Sequence, residues 1–188
     1  IKSVILLFAL ALSLSAFAGG KYAGVPKKYH ALLDRAMVTA GGNAKELKKA
    51  LKEVPASERE GMAFLISYMP ERDAKTLTAD FLKEHVQYAY KARNEFPWAK
   101  AVPNDIFLND VVAYVNLNEE RESWRKDFYE RFKKYVAQCK TMREAIDSVN
   151  KNIRDEVQVD YNTKREKADQ APYESMRQHM ASCSGLSI

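Results

Sequence analysis

Cysteine, histidine and glycine are all scarce in this chain, and each scarcity removes a class of chemistry. There are two cysteines and three histidines in 188 residues. Cys139, Cys183, His30, His85 and His179 show none of the short ligand spacings that a protein zinc site uses, so no metal is expected. Only 7 glycines are present. None of them builds the glycine-rich loop that cradles phosphates or a dinucleotide, and no cofactor is expected. Long apolar runs are wanting too. The longest, Val4 to Leu14 broken only by Ser13, falls short of the roughly 20 residues that cross a bilayer. Charge of one sign is nowhere concentrated: Glu119-Glu120-Arg121-Glu122 and Lys164-Arg165-Glu166-Lys167 mix signs, and the net charge is a mild +5. Such mixing belongs to solvated helix faces rather than to a nucleic-acid footprint. The sequence also lacks strand-like alternation of any length, internal repeats and low-complexity tracts.

What is present begins with targeting. Lys2 gives a basic start, Val4 to Leu14 an apolar segment, and Ala16-Phe17-Ala18 a small-x-small site before Gly19. These three parts make residues 1–18 a secretory signal peptide. No Cys follows the site, so no lipid anchor is expected there. The mature chain is expected outside the cytoplasm, periplasmic or extracellular, with no membrane attachment once the signal is cleaved. About 170 residues then remain, enough for one modest domain or part of a larger one. In an oxidising compartment a Cys139–Cys183 disulfide stands as an alternative to two thiols.

Residues 19–160 read as a helical region. Asn43 is placed to cap a helix with Leu47, Leu51 and Val54 on one face, stopped by Pro55. Ser57 and Glu60 have the spacing of a capping box for a helix carrying Met62, Leu65, Ile66 and Met69. Thr78 opens a third, with Phe81, Leu82, His85, Val86, Ala89 and Tyr90 on a broad face. Asn94 to Val115 breaks phase at Pro97 and Pro103 and is expected to be irregular, with one short helix around Ile106 to Tyr114. From Glu119 to Lys140 the residues Trp124, Phe128, Phe132, Tyr135, Val136 and Cys139 recur at three- and four-residue steps, the pattern of an amphipathic helix with an aromatic core stripe. Thr141 and Glu144 form a second capping box, ahead of Ile146, Val149, Ile153 and Val157. Asp160 to Tyr173 reads as a long polar loop broken by Pro172.

The residues with the most chemical promise come last. Small polar residues surround Cys183 in Ser182-Cys183-Ser184-Gly185, and Leu186 begins an apolar stretch. This is a turn feeding a helix, with Ser182 near the N-cap. A thiol there sits at the positive end of the helix dipole, which favours thiolate. Backbone N–H groups of the first turn, including that of Cys183, also face an oxyanion forming beside the sulfur. These are the requirements of a Cys nucleophile in acyl transfer. A buried or disulfide-bonded structural Cys meets the same residue pattern.

Ser182-Cys183-Ser184-Gly185-Leu186-Ser187 resembles the nucleophile motif of bacterial transglutaminase-like domains. The chain before it resembles the helical region that precedes this motif in one exported bacterial group. The matching features are Phe96-Pro97-Trp98 with Pro103 and Ile106-Phe107-Leu108, and Asn118-Glu119 ahead of Trp124-Arg125. Asn150, Tyr161 and Pro172-Tyr173-Glu174-Ser175-Met176 continue the resemblance, which covers the chain from about Leu65 onward. It implies an enzyme of the papain-like Cys-His-Asp superfamily that acts on the amide bonds of a peptide or protein through a Cys183 thioester. It also implies an α+β fold whose helical N-terminal portion is seen here and whose sheet, bearing the His and Asp, follows the Cys. Five residues follow Cys183, so residues 161–188 are expected to be a loop and the start of that core. The sequence then reads as a fragment, inactive by itself, of a hydrolase or acyltransferase.

Other residues take lesser roles. His179 stands four residues before Cys183, but the bend between them gives no reason for its ring to face the sulfur. His30 and His85 read as a surface and a half-buried residue. Cys139 packs in the core on its helix stripe. Trp98, Asp160 and Tyr161 are candidates for a cleft wall. A non-enzymatic helical domain that binds a partner outside the cytoplasm is the alternative reading.

Overall fold

Apolar spacing at helical period accounts for most of what the computed structural model contains, and residues 20–164, 166–167 and 170–187 are described. The expected signal segment, 1–18, lies outside these residues. Helix α1 (His30–Ala40) buries Leu33, Met37 and Ala40 and ends at Gly41, whose φ of 55° suits a residue without Cβ. Helix α2 (Ala44–Glu53) turns Leu47, Ala50 and Leu51 inward and Lys48, Lys49 and Lys52 outward. It stops because Val54 precedes Pro55, which pushes Val54 into an extended conformation. Pro70 does the same to Met69 at the end of α3 (Arg59–Tyr68). A short α4 (Glu71–Thr76) follows, and then α5 (Ala79–Glu95), whose first turn is closed by Thr78 Oγ1 accepting the Phe81 N–H at 3.2 Å.

These five helices enclose the main core. Leu33, Leu47, Met62, Ile66, Leu82 and Val86 are all under 2% exposed there, each contributing about 1.5–3 kcal/mol of burial. A fragment of helix, α6 (Asn104–Ile106), widens into a π-turn over Phe107–Val111 and sends Phe107, Leu108 and Val112 into the same core. The second half is α7 (Trp124–Val136) and α8 (Met142–Val157), which share a small core of Val136 and Ala145 with Phe96 and Ala99. Strand β1 (Asp160–Tyr161), α9 (Pro172–Gln178), strand β2 (Met180–Ala181) and α10 (Cys183–Ser187) complete the described chain. The two strands pair in parallel, Asp160 opposite Met180 and Tyr161 opposite Ala181. The described protein is mainly helical, as expected.

Several local expectations are corrected. Asn43 precedes α2 but does not cap it; its amide donates to the carbonyls of Ala74 and Leu77 instead, both at 2.9 Å, tying α2 to the end of α4. The Ser57–Glu60 box does not form, because Glu60 is drawn to Lys28 at 2.9 Å and a 3₁₀ turn, Ala56–Glu58, precedes the helix. The Thr141 cap does form, at 3.2 Å, with Glu144 reaching back to the Lys140 N–H at 2.7 Å. The helix expected from Glu119 begins only at Trp124. Glu119 is buried and accepts the N–H groups of Asn116 and Leu117 at 2.7 and 2.9 Å, which holds 116–123 in a non-helical path. Pro172 starts a helix rather than breaking one, its missing N–H costing nothing at the first position. Helices α1 and α4 were not anticipated. The largest difference lies on α7 and α8. Trp124, Phe128 and Phe132 are only half-buried, and Ile146 and Ile153 are 51% and 38% exposed. Their apolar stripe exists, but it is an open face.

Candidate functional site

The segment bearing Cys183 is assembled from both ends of the second half. From the end of α8, Gln158 turns left-handed (φ 54°) and leads into β1. His179 turns the same way (φ 53°) out of α9 and leads into β2. The Asp160 N–H donates to the His179 carbonyl at 3.2 Å and the Asn162 N–H to the Ala181 carbonyl at 2.8 Å. This short ladder delivers Ser182 and Cys183 to the start of α10, where the Ser182 carbonyl accepts the Leu186 N–H at 2.9 Å. The expected turn into a helix beginning at Cys183 is what the structure contains.

Small residues around the thiol have a packing reason. The Ser182 hydroxyl donates to Gln170 Oε1 at 3.1 Å. A Cβ on Gly185 would collide with that same Oε1 and lie 2.9 Å from the Ala181 methyl group. Gly185 therefore permits the close seat of α10 against Gln170 and β2. The Cys183 side chain is exposed.

Further along α10, Gly185 and Leu186 border a groove of about 880 Å³. Phe128 and Phe132 of α7 and Val149, Ile153 and Val157 of α8 form one wall, with Met176 of α9 and Gly185 and Leu186 of α10 opposite. Asp160 and Tyr161 belong to its lining. Asp160 is paired with Arg154 at 2.7 Å, so the rim is locally charge-balanced. Tyr161 is 63% and Leu186 47% exposed. Trp98 is elsewhere. Its ring stacks on Phe96 at 5.4 Å and its indole N–H donates to the Val136 carbonyl at 3.4 Å, making it part of the small core.

The three histidines are engaged at separate places. His30 Nε2 bonds the Val25 carbonyl at 3.0 Å, and His179 Nδ1 bonds the Gln158 carbonyl at 3.1 Å. His85, expected half-buried, is 0% exposed. Its Nε2–H donates to the Glu122 carbonyl at 3.1 Å and its Nδ1 accepts from Arg125 Nε at 3.3 Å. Burial, and then the Arg125 charge, hold its pKa down to about 3. Cys139 is half-buried beside the small core, its thiol directed to the Tyr135 carbonyl at 3.6 Å. Cys139 and Cys183 are not joined in a disulfide. No group of acidic, His or Cys side chains among the described residues could hold a metal ion, and none of the described helices is long and apolar enough to cross a membrane.

A polar cluster that spacing does not reveal connects the two halves. Asp73, 1% exposed, accepts from the Tyr114 hydroxyl at 2.8 Å and from Arg121 Nε and Nη2, both at 2.9 Å. One residue on, Glu122 accepts the Tyr173 N–H at 2.8 Å. Spacing gives no hint of it, because Glu119 to Glu122 read as a solvated helix face. No family model, curated protein or solved structure matches the chain.

Proposed function

We propose that this chain is the helical N-terminal part of an exported transglutaminase-like cysteine enzyme, with Cys183 as its nucleophile. The observation that supports it best is the exposed Cys183 residue at the first position of a helix, directly after the Ser182 turn. In the proposed reaction the Cys183 sulfur attacks the carbonyl carbon of a peptide or protein amide, the amine departs with a proton, and a thioester is left for water or a second amine to resolve. Backbone N–H groups at the helix start would face the developing oxyanion. By the resemblance, the general base His and its orienting Asp belong to a sheet that follows the nucleophile in an α+β fold. His30, His85 and His179 are committed to other partners, so these residues supply the nucleophile and the helical layer. No cofactor or metal enters this chemistry, and neither nucleic acid nor membrane is a partner. The site of action is periplasmic or extracellular.

Iodoacetamide labelling with peptide mapping tests the nucleophile. Cys183 is expected to react faster than an unstructured cysteine peptide under the same conditions. Equal rates would remove the enzyme reading. They would favour the second reading, a non-catalytic domain that binds a partner through the groove of Phe128, Phe132, Ile153 and Leu186.

A further inference from the structure

We propose that Glu122 is a positioning residue for Cys183, acting through α9; this rests on the nucleophile reading above. The first-turn N–H groups of any helix need acceptors from outside it. At the start of α9 the cap position is Ala171, which offers no side-chain acceptor. The acceptor comes from 51 residues away: Glu122 Oε2 takes the Tyr173 N–H at 2.8 Å. Tyr173 answers from the other side. Its hydroxyl donates to the Ser123 carbonyl at 3.3 Å, and its ring meets the Phe128 ring edge-on at 6.4 Å and 79°. Tyr173 is thus held at two points by 122–123 and at a third by Phe128.

Glu122 is suited to this because its own backbone is fixed. The neighbouring Arg121 is bound through two nitrogens to buried Asp73 of α4, and the Glu122 carbonyl accepts from buried His85 of α5. The carboxylate is therefore carried on a strut bolted to the main core. The path from that core runs through Glu122 to Tyr173, along α9, around the His179 turn into β2, and so to Ser182 and Cys183. At its far end the same unit is tied to the end of α8 and to β1 by the exposed His179 Nδ1 bond to the Gln158 carbonyl at 3.1 Å and by the two-residue ladder. Tyr161 there is 63% exposed, and solvent-exposed backbone hydrogen bonds open readily. The Glu122 link is the half-buried, charge-assisted support, and such bonds are roughly twice as strong as neutral ones. With it removed, α9 loses its cap and the turn that presents the thiol loses its fixed end.

The test compares wild type, Glu122→Ala and Glu122→Gln in the same chain, with far-UV circular dichroism to confirm that the helices persist. Backbone amide exchange is read over 172–183, and iodoacetamide labelling of Cys183 and Cys139 from about pH 5 to about pH 9. Glu122→Ala is expected to exchange roughly tenfold faster over 173–176, and its Cys183 labelling profile should move to that of an unstructured thiol. Glu122→Gln keeps an acceptor oxygen and should restore most of the protection and the profile; Cys139 labelling should not change. A merely structural role would lower the urea midpoint and leave the Cys183 profile alone. Wild-type exchange over 172–183 in Glu122→Ala, or an unchanged Cys183 profile, would overturn the proposal. If Glu122→Ala does not fold, Glu122→Gln carries the test with an expected change of about threefold. Wild-type Cys183 that labels like an unstructured thiol would sink the nucleophile reading, while the exchange data would still decide whether Glu122 holds α9.

Discussion

His85 makes the stability of this protein depend on pH in a way that can be worked out in advance. Its ring is wholly buried on α5, with Phe81 at 4.5 Å, Trp124 at 5.4 Å and Tyr114 at 6.3 Å. Nε2 carries the proton that bonds Glu122, and Nδ1 is the nitrogen that Arg125 faces at 3.3 Å. A second proton would have to enter at Nδ1, in an unhydrated site and against a guanidinium, and so the pKa falls from 6.5 to about 3. In the unfolded chain the same ring takes its proton near 6.5. Between these values the unfolded state binds more protons than the folded one. The stability is present above pH 6.5 and is lost as the pH falls toward 3. Moving from about pH 7 to about pH 5 then costs about 2 kcal/mol, and continuing to about pH 3 costs about 4 kcal/mol in all.

Urea unfolding followed by far-UV circular dichroism reads this directly. With a slope of about 2 kcal/mol per molar, the midpoint should fall by about 1 M between the two upper pH values. Glu174, whose pKa is lowered to about 2 by its Arg177 partner, stays charged throughout that window. The comparison that isolates the ring is His85→Gln, which keeps a donor and an acceptor but does not titrate. Its absolute stability will differ from wild type through packing, but the difference between its two pH values should nearly vanish. If wild type and His85→Gln lose equal stability from about pH 7 to about pH 5, the ring is not held neutral by the fold and the argument fails.

Two further stability predictions rest on burial. Asp73→Ala leaves Arg121 and the Tyr114 hydroxyl without the acceptor they share, and removing one partner of such a buried pair should cost about 3–5 kcal/mol in urea unfolding. Tyr114→Phe, which drops one hydrogen bond, should cost about 1 kcal/mol, and equal costs for the two would refute the shared-acceptor account. Leu47→Ala should cost about 2–5 kcal/mol because Leu47 is 0% exposed. Ile146→Ala, at a residue 51% exposed, should cost under about 1 kcal/mol, and a similar thermal shift in both variants would mean that the α8 face is covered in solution.

The helical region was legible wherever a local rule acts alone. Proline at 55 and 70 forces an extended residue before it whatever the rest of the chain does, and Thr78 and Thr141 cap because the N–H they need is three residues away. The rules failed where a distant group made a better offer. Asn43 had α2 to cap and was taken by carbonyls at the end of α4; Glu60 had Ser57 and was taken by Lys28. Glu119 and Arg121 carry helical spacing, but buried Asp73 and the turn at Asn116 hold them in another path. For Asn43, Glu60 and Arg121 the competing partner lies 31 to 48 residues away, beyond what a local window on the sequence can weigh. The Cys183 turn was readable because its parts are contiguous. The Glu122 link to Tyr173, which joins that turn to the core, was not.

The α7 and α8 faces teach a different lesson. Periodicity placed Phe128, Phe132, Val149, Ile153 and Val157 together correctly, and in the structure they do share the walls of one groove. It assigned them to a core, and there the inference went a step too far. A repeat of three and four residues fixes which side chains face the same way, since that is a property of one helix. Burial is a property of whatever lies opposite, and α9 with α10 covers these walls only in part. The same reasoning bears on Cys183. Its position at the head of α10 is a local fact that the sequence could anticipate; its exposure is not. No catalytic partner for it was legible from local pattern, so the proposed nucleophile role rests on measuring the thiol itself.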